Sequence, residues 1–437
     1  MKLDFKARRI IGWSSIILIS IIPVILFFTL GNGVDRFASL SSSLYGLGEI
    51  FALIGITLFA INFVLSTRLK FIEKTFGGLD KVYFVHGITG GLALIFILAH
   101  PIFIVANLIP NNLKIAASYF IPGRILSLDL GLIAIIGFMS LIFITLFTKI
   151  KYNHWKYTHE FMGAVFIFAV LHMFLVRNTI SIDYIFRGYY VFASFITAIG
   201  LSSFIYSLII RKKVLKYATY NIENIKINSN IIELSLEPES KQIKYQSGQF
   251  VFLTFHTERI SREPHPFSIA SKTNDRIIKI IIKKSGDFTN TLDKLKPGDK
   301  VKIEGPYGKF NFKNFDGKKQ IWIAGGIGIT PFLGMIEELE ENQDKNVTFF
   351  YTFKENYIVT KNLLEKMNKI KNLKFISWNS GKNGHINAMK IIEKIDSIKD
   401  KEILICGPSK FKEEIIKQLK NLGVKKNKIH EEVFDLK

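Results

Sequence analysis

The residues best placed to do chemistry are four histidines in long apolar stretches. His86 and His100 stand 14 positions apart, and His159 and His172 stand 13 apart. Imidazoles at such depth are costly in hydrocarbon and mark function. At ~1.5 Å rise per residue, the two histidines of each stretch lie roughly 20 Å apart along a helix axis. If the two stretches run parallel, His86 is level with His159 and His100 with His172. Two imidazoles at each of two depths form the axial ligand set of two six-coordinate haems stacked across a bilayer. Fourteen residues return a helix almost to the same face, whereas thirteen leave His172 about 140° from His159. The second pair therefore demands an irregular helix or differently oriented haems. His154 reads as an interfacial residue and Phe166, midway between His159 and His172, as core.

A second group lies further along the chain. His265-Pro266-Phe267-Ser268 offers a face to stack on a flat ring and a hydroxyl for a ring nitrogen. Lys283 and the turn Gly286-Asp287-Phe288-Thr289 offer a cation, backbone N–H groups and a hydroxyl, a set suited to a pyrophosphate. Gly325-Gly326-Ile327-Gly328-Ile329-Thr330-Pro331 follows an apolar run, as a glycine turn that admits a pyrophosphate to a helix N-terminus does. Cys406-Gly407-Pro408 is a second turn of that kind. Cys406 is the single cysteine, which excludes a disulfide framework or a thiolate-bound cluster. With no histidine near it in sequence, it does not read as a nucleophile.

The elements that must position these groups follow from composition. Of 437 residues, 49% are hydrophobic and 22% charged, with a net charge of 58 − 36 = +22. Residues 1–213 hold 19 Lys/Arg against 8 Asp/Glu, and 214–437 hold 39 against 28, so each half is +11 but only the second is densely charged. A disordered or nucleic-acid-binding chain is excluded, and half of the molecule is expected in lipid. Six apolar runs, 10–30, 46–67, 82–109, 127–148, 157–176 and 186–210, each reach the ~20 residues of a membrane helix. The first is longer than a signal core and is followed by no small-x-small cleavage site, so it is taken as the first span. Basic residues concentrate at 2–9, 68–81, 149–156 and 211–216, on one side of the six spans. The positive-inside rule then puts both termini and the second half in the cytoplasm of a multi-pass cell-membrane protein. Ile231–Leu236, Phe250–Phe255, Ile277–Ile282 and Lys300–Ile303 read as strands of a small antiparallel barrel. Gln320–Ala324, Pro331–Glu341, Val347–Phe353 and Glu402–Cys406 read as alternating strands and helices of a parallel, doubly wound sheet. The expected divisions are 1–213, 214–316 and 317–437.

These motifs together resemble the NADPH oxidase and ferric reductase family, over nearly the whole chain. In that family a six-helix haem domain is joined to a ferredoxin–NADP⁺ reductase-like dehydrogenase. The 14 and 13 spacings are similar to the family's haem-ligand spacings, and His265–Ser268 resembles its flavin motif. Gly286–Thr289, with Lys283 before it, resembles its phosphate turn. Gly325–Pro331 resembles its nicotinamide-nucleotide loop, and Cys406–Pro408 the motif beside the nicotinamide. The resemblance implies that Phe434 is the C-terminal aromatic covering the flavin, although the chain continues to Lys437, and that Ser268, Cys406 and Phe434 attend hydride transfer. The Lys/Ile/Asn-rich composition resembles that of bacterial members.

The implied function is an NAD(P)H oxidase with FAD and two b-type haems. Electrons pass from NAD(P)H through the His86/His159 haem and the His100/His172 haem to oxygen, giving superoxide. The alternatives are a ferric-chelate reductase with the same path, or a haem subunit that reduces a partner protein. Oxygen is favoured because the outer loops contain only Asp35 and Asp183 as acids and no histidine. Thr352 and Lys354, with no acid closing that strand, suggest use of both NADH and NADPH, and Glu355 blurs this. No obligate protein partner is expected.

Overall fold

A computed structural model describes residues 5–30, 37–109, 112–148, 150–176, 187–211, 218–341, 344–354, 361–395, 397–398 and 400–432. The chain forms two compact units, Met1–Val214 and Leu215–Lys437.

The first unit is helical: α1 Phe5–Leu30, α2 Leu40–Ser66, α3 Lys70–Phe76, α4 Leu79–Leu108, α5 Leu113–Ser118, α6 Leu126–Phe147, α7 Tyr152–Glu160, α8 Met162–Val176 and α9 Arg187–Ile205. Among the described residues six helical spans are long and apolar enough to cross a membrane, with α7 and α8 counted as one. Their outward residues are apolar as well: Leu146 is 68% and Phe147 72% exposed, as expected where the solvent is lipid. The short α3 and α5 were not expected from the apolar runs. Small residues set how closely the helices approach. A Cβ on Gly48 of α2 would lie 2.8 Å from Ile104 of α4, and one on Gly55 2.8 Å from Ile97. One on Gly200 of α9 would meet the Ala60 Cα at 3.0 Å.

The second unit opens with an antiparallel sheet in the order β4-β3-β6-β1-β2-β5. Its strands are β1 Ala218–Asn228, β2 Ile231–Pro238, β3 Phe250–His256, β4 His265–Ser268, β5 Ile278–Lys283 and β6 Lys300–Tyr307. A bridge between Ile269 and Ile280 joins the two edges and closes the barrel around Leu234, Val251, Leu253 and Ile280. A parallel sheet follows in the order β11-β10-β7-β8-β9, built from β7 Lys319–Gly325, β8 Asn346–Phe353, β9 Leu373–Asn379, β10 Glu402–Cys406 and β11 Ile429–Glu431. Buried on both faces, its central strands are near-continuous apolar runs such as Ile321-Trp322-Ile323-Ala324. Glu338, on the helix Thr330–Leu339, ties this sheet to the barrel. It pairs with Lys313 at 2.6 Å and accepts the Thr273 backbone N–H at 2.7 Å.

Candidate functional site

In the first unit α4 carries His86 and His100, α7 carries His159 and α8 carries His172. His86 faces His159 with ring centres 6.1 Å apart, and His100 faces His172 at 6.3 Å. Two imidazole–metal bonds of about 2 Å each put ring centres roughly 6 Å apart, so each pair has the span of two axial ligands on one iron. The 13-residue spacing left open an irregular helix or differently oriented haems, and a helix irregularity is present at Phe161. There α7 ends, the Phe161 amide donates to the Thr158 carbonyl, and α8 begins at Met162. The break turns His172 onto the side that His159 faces.

The rings are oriented from outside the pairs. His86 Nδ1–H donates to the Asn62 carbonyl at 3.2 Å, His100 Nδ1–H to the Gly48 carbonyl at 2.9 Å and His172 Nδ1–H to the Ser127 carbonyl at 2.6 Å. Each bond fixes the tautomer and leaves Nε2 as the nitrogen available to a metal. Asn62 is itself held, its side-chain oxygen accepting from the Thr89 hydroxyl at 3.0 Å. A Cβ on Gly131 would stand 2.7 Å from His172 Nδ1, so a bare backbone is needed there. Around His100 and His172 lies a cavity of about 410 Å³, mainly apolar, lined also by Ile97, Gly131 and Ala134, with Tyr45 and Glu49 among its polar groups. Apolar walls and two facing imidazoles fit a haem. Phe166 is fully buried, 5.0 Å from both Phe59 and Phe63 in an aromatic cluster. His154 is exposed on α7.

In the second unit His265, Pro266, Phe267 and Ser268 form β4, paired to β3 with Ser268 opposite Phe250. The Ser268 hydroxyl is buried without a hydrogen-bond partner among the described residues, a group prepared for a ligand. His265 stacks on Phe288 with ring centres 3.6 Å apart, which joins the His265–Ser268 strand to the Gly286–Thr289 turn. That turn differs from expectation in one respect. The N–H groups of Ser285 and Gly286 both donate to the Thr289 hydroxyl at 3.0 Å, and Asp287 caps Phe288, so these donors are satisfied within the turn. Lys283, at the end of β5, is exposed.

Gly325 ends β7, Gly326–Ile329 form a single 3₁₀ turn, and Thr330 and Pro331 open the next helix. Gly326 has φ +55°, a conformation that favours glycine. A Cβ on Gly328 would lie 2.5 Å from the Cys406 carbonyl, and one on Gly407 3.1 Å from the Gly325 Cα. The two glycine turns are thus in contact at the carboxyl ends of β7 and β10, where the strand order reverses. That crevice is where doubly wound sheets bind ligands. The Cys406 thiol is fully buried, and burial pushes its pKa well above the ordinary value, so it is no thiolate nucleophile. Pro408 opens the helix Ser409–Asn421. Thr352 is buried at the end of β8 and Lys354 is exposed just beyond it. Phe434, Glu355, Asp35 and Asp183 lie outside the described residues. Asn62, Thr89, Gly131 and Trp155, which surround the histidines, were missed from the sequence. A polar residue in an apolar run was the available signal for the first two, and the four-residue offset from His159 for Trp155.

Three family models match the chain: a ferric reductase like transmembrane component over residues 51–170, an FAD-binding domain over 214–311 and an oxidoreductase NAD-binding domain over 322–417. Flavohemoprotein A of Dictyostelium discoideum is 30% identical over 227 residues, 47% of this chain and 57% of its own length. The electron transfer subunit of dihydroorotate dehydrogenase B (NAD(+)) of Clostridium acetobutylicum is 32% identical, over 48% of this chain and 80% of its own. Ferric reduction oxidase 8 of Arabidopsis thaliana is 33% identical over 147 residues, 29% of this chain and 20% of its own. The chain spans little more than half of flavohemoprotein A and a fifth of the plant oxidase. A multi-pass ferric-reductase-like membrane part followed by FAD-binding and NAD-binding parts makes this chain an oxidoreductase of the NADPH oxidase and ferric reductase family.

Proposed function

We propose that the protein is a transmembrane NAD(P)H oxidase that reduces oxygen to superoxide on the outer face. The observation that carries this reading is the pairing of four intramembrane histidines at 6.1 and 6.3 Å on two levels. His86 and His159 hold an inner b-type haem, and His100 and His172 an outer one. Residues 1–213 form the di-haem part, 214–316 the FAD part and 317–437 the nucleotide part, with both termini cytoplasmic. FAD, when bound, would supply the change from hydride to single-electron chemistry, and haem held by the histidine pairs would supply one-electron carriers across the membrane.

The chain's own residues bind and orient. Pro266 and Phe267 flank the flavin ring, and the Ser268 hydroxyl meets a ring nitrogen. Lys283 and the Gly286–Thr289 turn bind its pyrophosphate electrostatically. Gly325, Gly326 and Gly328 admit the nucleotide pyrophosphate to the helix that Ile329, Thr330 and Pro331 begin. Cys406, Gly407 and Pro408 border the nicotinamide, and Phe434 covers the flavin until the nicotinamide displaces it. NADH and NADPH are both used, and a hundredfold preference in steady-state kinetics would contradict that.

The experiment is anaerobic absorption spectroscopy of the purified protein with FAD, adding NADPH and then air beside a superoxide trap. Haem reduction by NADPH, followed by reoxidation in air with a superoxide signal, is expected. Fast reoxidation by ferric chelate with a sluggish response to air would make it a ferric reductase. Haem that stays oxidised would refute the electron path.

A further inference from the structure

Three of the four intramembrane histidines share one kind of second contact, an Nδ1–H donated to a peptide carbonyl of another helix. Such a bond fixes the ring and makes the opposite nitrogen a stronger electron donor to a metal. His159 is different. Its Nδ1 is buried and has no hydrogen-bond partner among the described residues. The indole of Trp155, one helical turn earlier, lies over the imidazole with ring centres 5.2 Å apart and planes 21° from parallel. Tyr152 extends this stack at 5.6 Å from Trp155. Positions four apart share a helix face, so the α7 sequence itself builds the stack.

We propose, resting on the haem-ligand reading above, that Trp155 is the positioning residue of the inner pair, and that its stack on His159, where the other three imidazoles are hydrogen-bonded, sets the potential of the inner haem. Stacking holds the His159 ring where a hydrogen bond holds the other three. A hydrogen-bonded imidazole is the more basic ligand and favours ferric iron, which lowers the potential. The outer pair has two such ligands and the inner pair one. A hydrogen bond given to His159 is therefore expected to lower the inner potential alone.

The test uses the full-length protein in detergent, with haem content measured before any potential. Fewer than two haems per chain would sink the ligand reading itself, separately from this proposal. With two haems bound, a spectroelectrochemical titration gives two waves, and His172→Ala, which removes the outer haem, identifies the inner one. Trp155→Gln places an amide oxygen one turn before His159 Nδ1 and is expected to shift the inner midpoint downward while the outer midpoint stays. Trp155→Phe keeps an aromatic face and is expected to preserve the inner haem's low-spin EPR signal, which Trp155→Leu should shift or broaden. An inner midpoint and EPR signal unmoved by both Trp155→Gln and Trp155→Leu overturn the proposal. If Trp155→Leu loses haem, Trp155→Gln against Trp155→Phe decides alone.

Discussion

Gly131 shows how much a single missing methyl decides in the membrane part. With alanine there, the new Cβ would sit 2.7 Å from His172 Nδ1, against the ring that donates to Ser127. Gly131→Ala is expected to lose the outer haem and keep the inner one, so that haem content falls by half while the protein still inserts. An unchanged content of two would contradict the placement of His172. Ser268 supports a prediction of opposite sign for stability and activity. Its hydroxyl is buried and unpartnered among the described residues, and an unsatisfied buried hydroxyl costs roughly 1–3 kcal/mol. Ser268→Ala should leave the flavin-free protein as stable as before or more so, yet slow flavin reduction by NAD(P)H by tenfold or more. Melting of the apoprotein and stopped-flow absorbance read the two effects. The four histidines were legible in the sequence because imidazole is rare in hydrocarbon and spacing translates into depth. Gly131, Asn62 and Trp155 were not, because which side chain meets which ring depends on how helices cross.

At the scale of elements, the spacing of His159 and His172 required an irregular helix or differently oriented haems but could not place a break at Phe161, a residue that helices accept, with Gly163 lying just beyond it inside α8. The six spans and the strands β7, β8 and β10 of the parallel sheet were legible because each is a run of one character, whereas β9 and β11 were not anticipated. β1 was missed, and its residues explain why. Ala-Thr-Tyr-Asn-Ile-Glu-Asn-Ile-Lys-Ile-Asn holds three asparagines, which disfavour strands, and its second half is mostly exposed. It is a strand because β2 and β6 pair with it on either side. The glycine turns were legible as turns, while their mutual contact required the order of β7 and β10. That contact supports a further expectation. Gly328→Ala drives a Cβ to 2.5 Å from the Cys406 carbonyl, a backbone atom that cannot rotate away. The KM for NAD(P)H should rise by an order of magnitude or more while FAD content is unchanged. Normal nucleotide kinetics in that variant would argue against the crevice as the nucleotide site.

For the molecule as a whole, the dehydrogenase unit carries its own acid sensitivity. Burial, the largest influence on Glu338, would raise its pKa, but hydrogen bonds from Lys313, Thr273 and Ser247 together outweigh it and hold the carboxyl below its ordinary value of 4.5. Glu402 is likewise opposed by burial and held low by His430 and Lys428. A carboxylate with a lowered folded-state pKa contributes stability that is present above the unfolded value and lost as pH falls through the folded one. Flavin release from the full-length protein is therefore expected to begin as pH drops below about 4.5, and to depend less on acid in Glu338→Gln. An identical acid profile in that variant would remove Glu338 from the account. The carbonyl partners of His86, His100 and His172 carry a different consequence. A peptide oxygen belongs to the backbone, so no single base change in the gene can delete it. Drift at Asn62 or Ser127 leaves the peptide acceptor itself present, whereas any side chain at Gly48 would meet Ile104 and move the helix that carries the acceptor. Heritable tuning must instead come through residues that shift a whole helix, or through His159, whose ring is stacked on the Trp155 side chain.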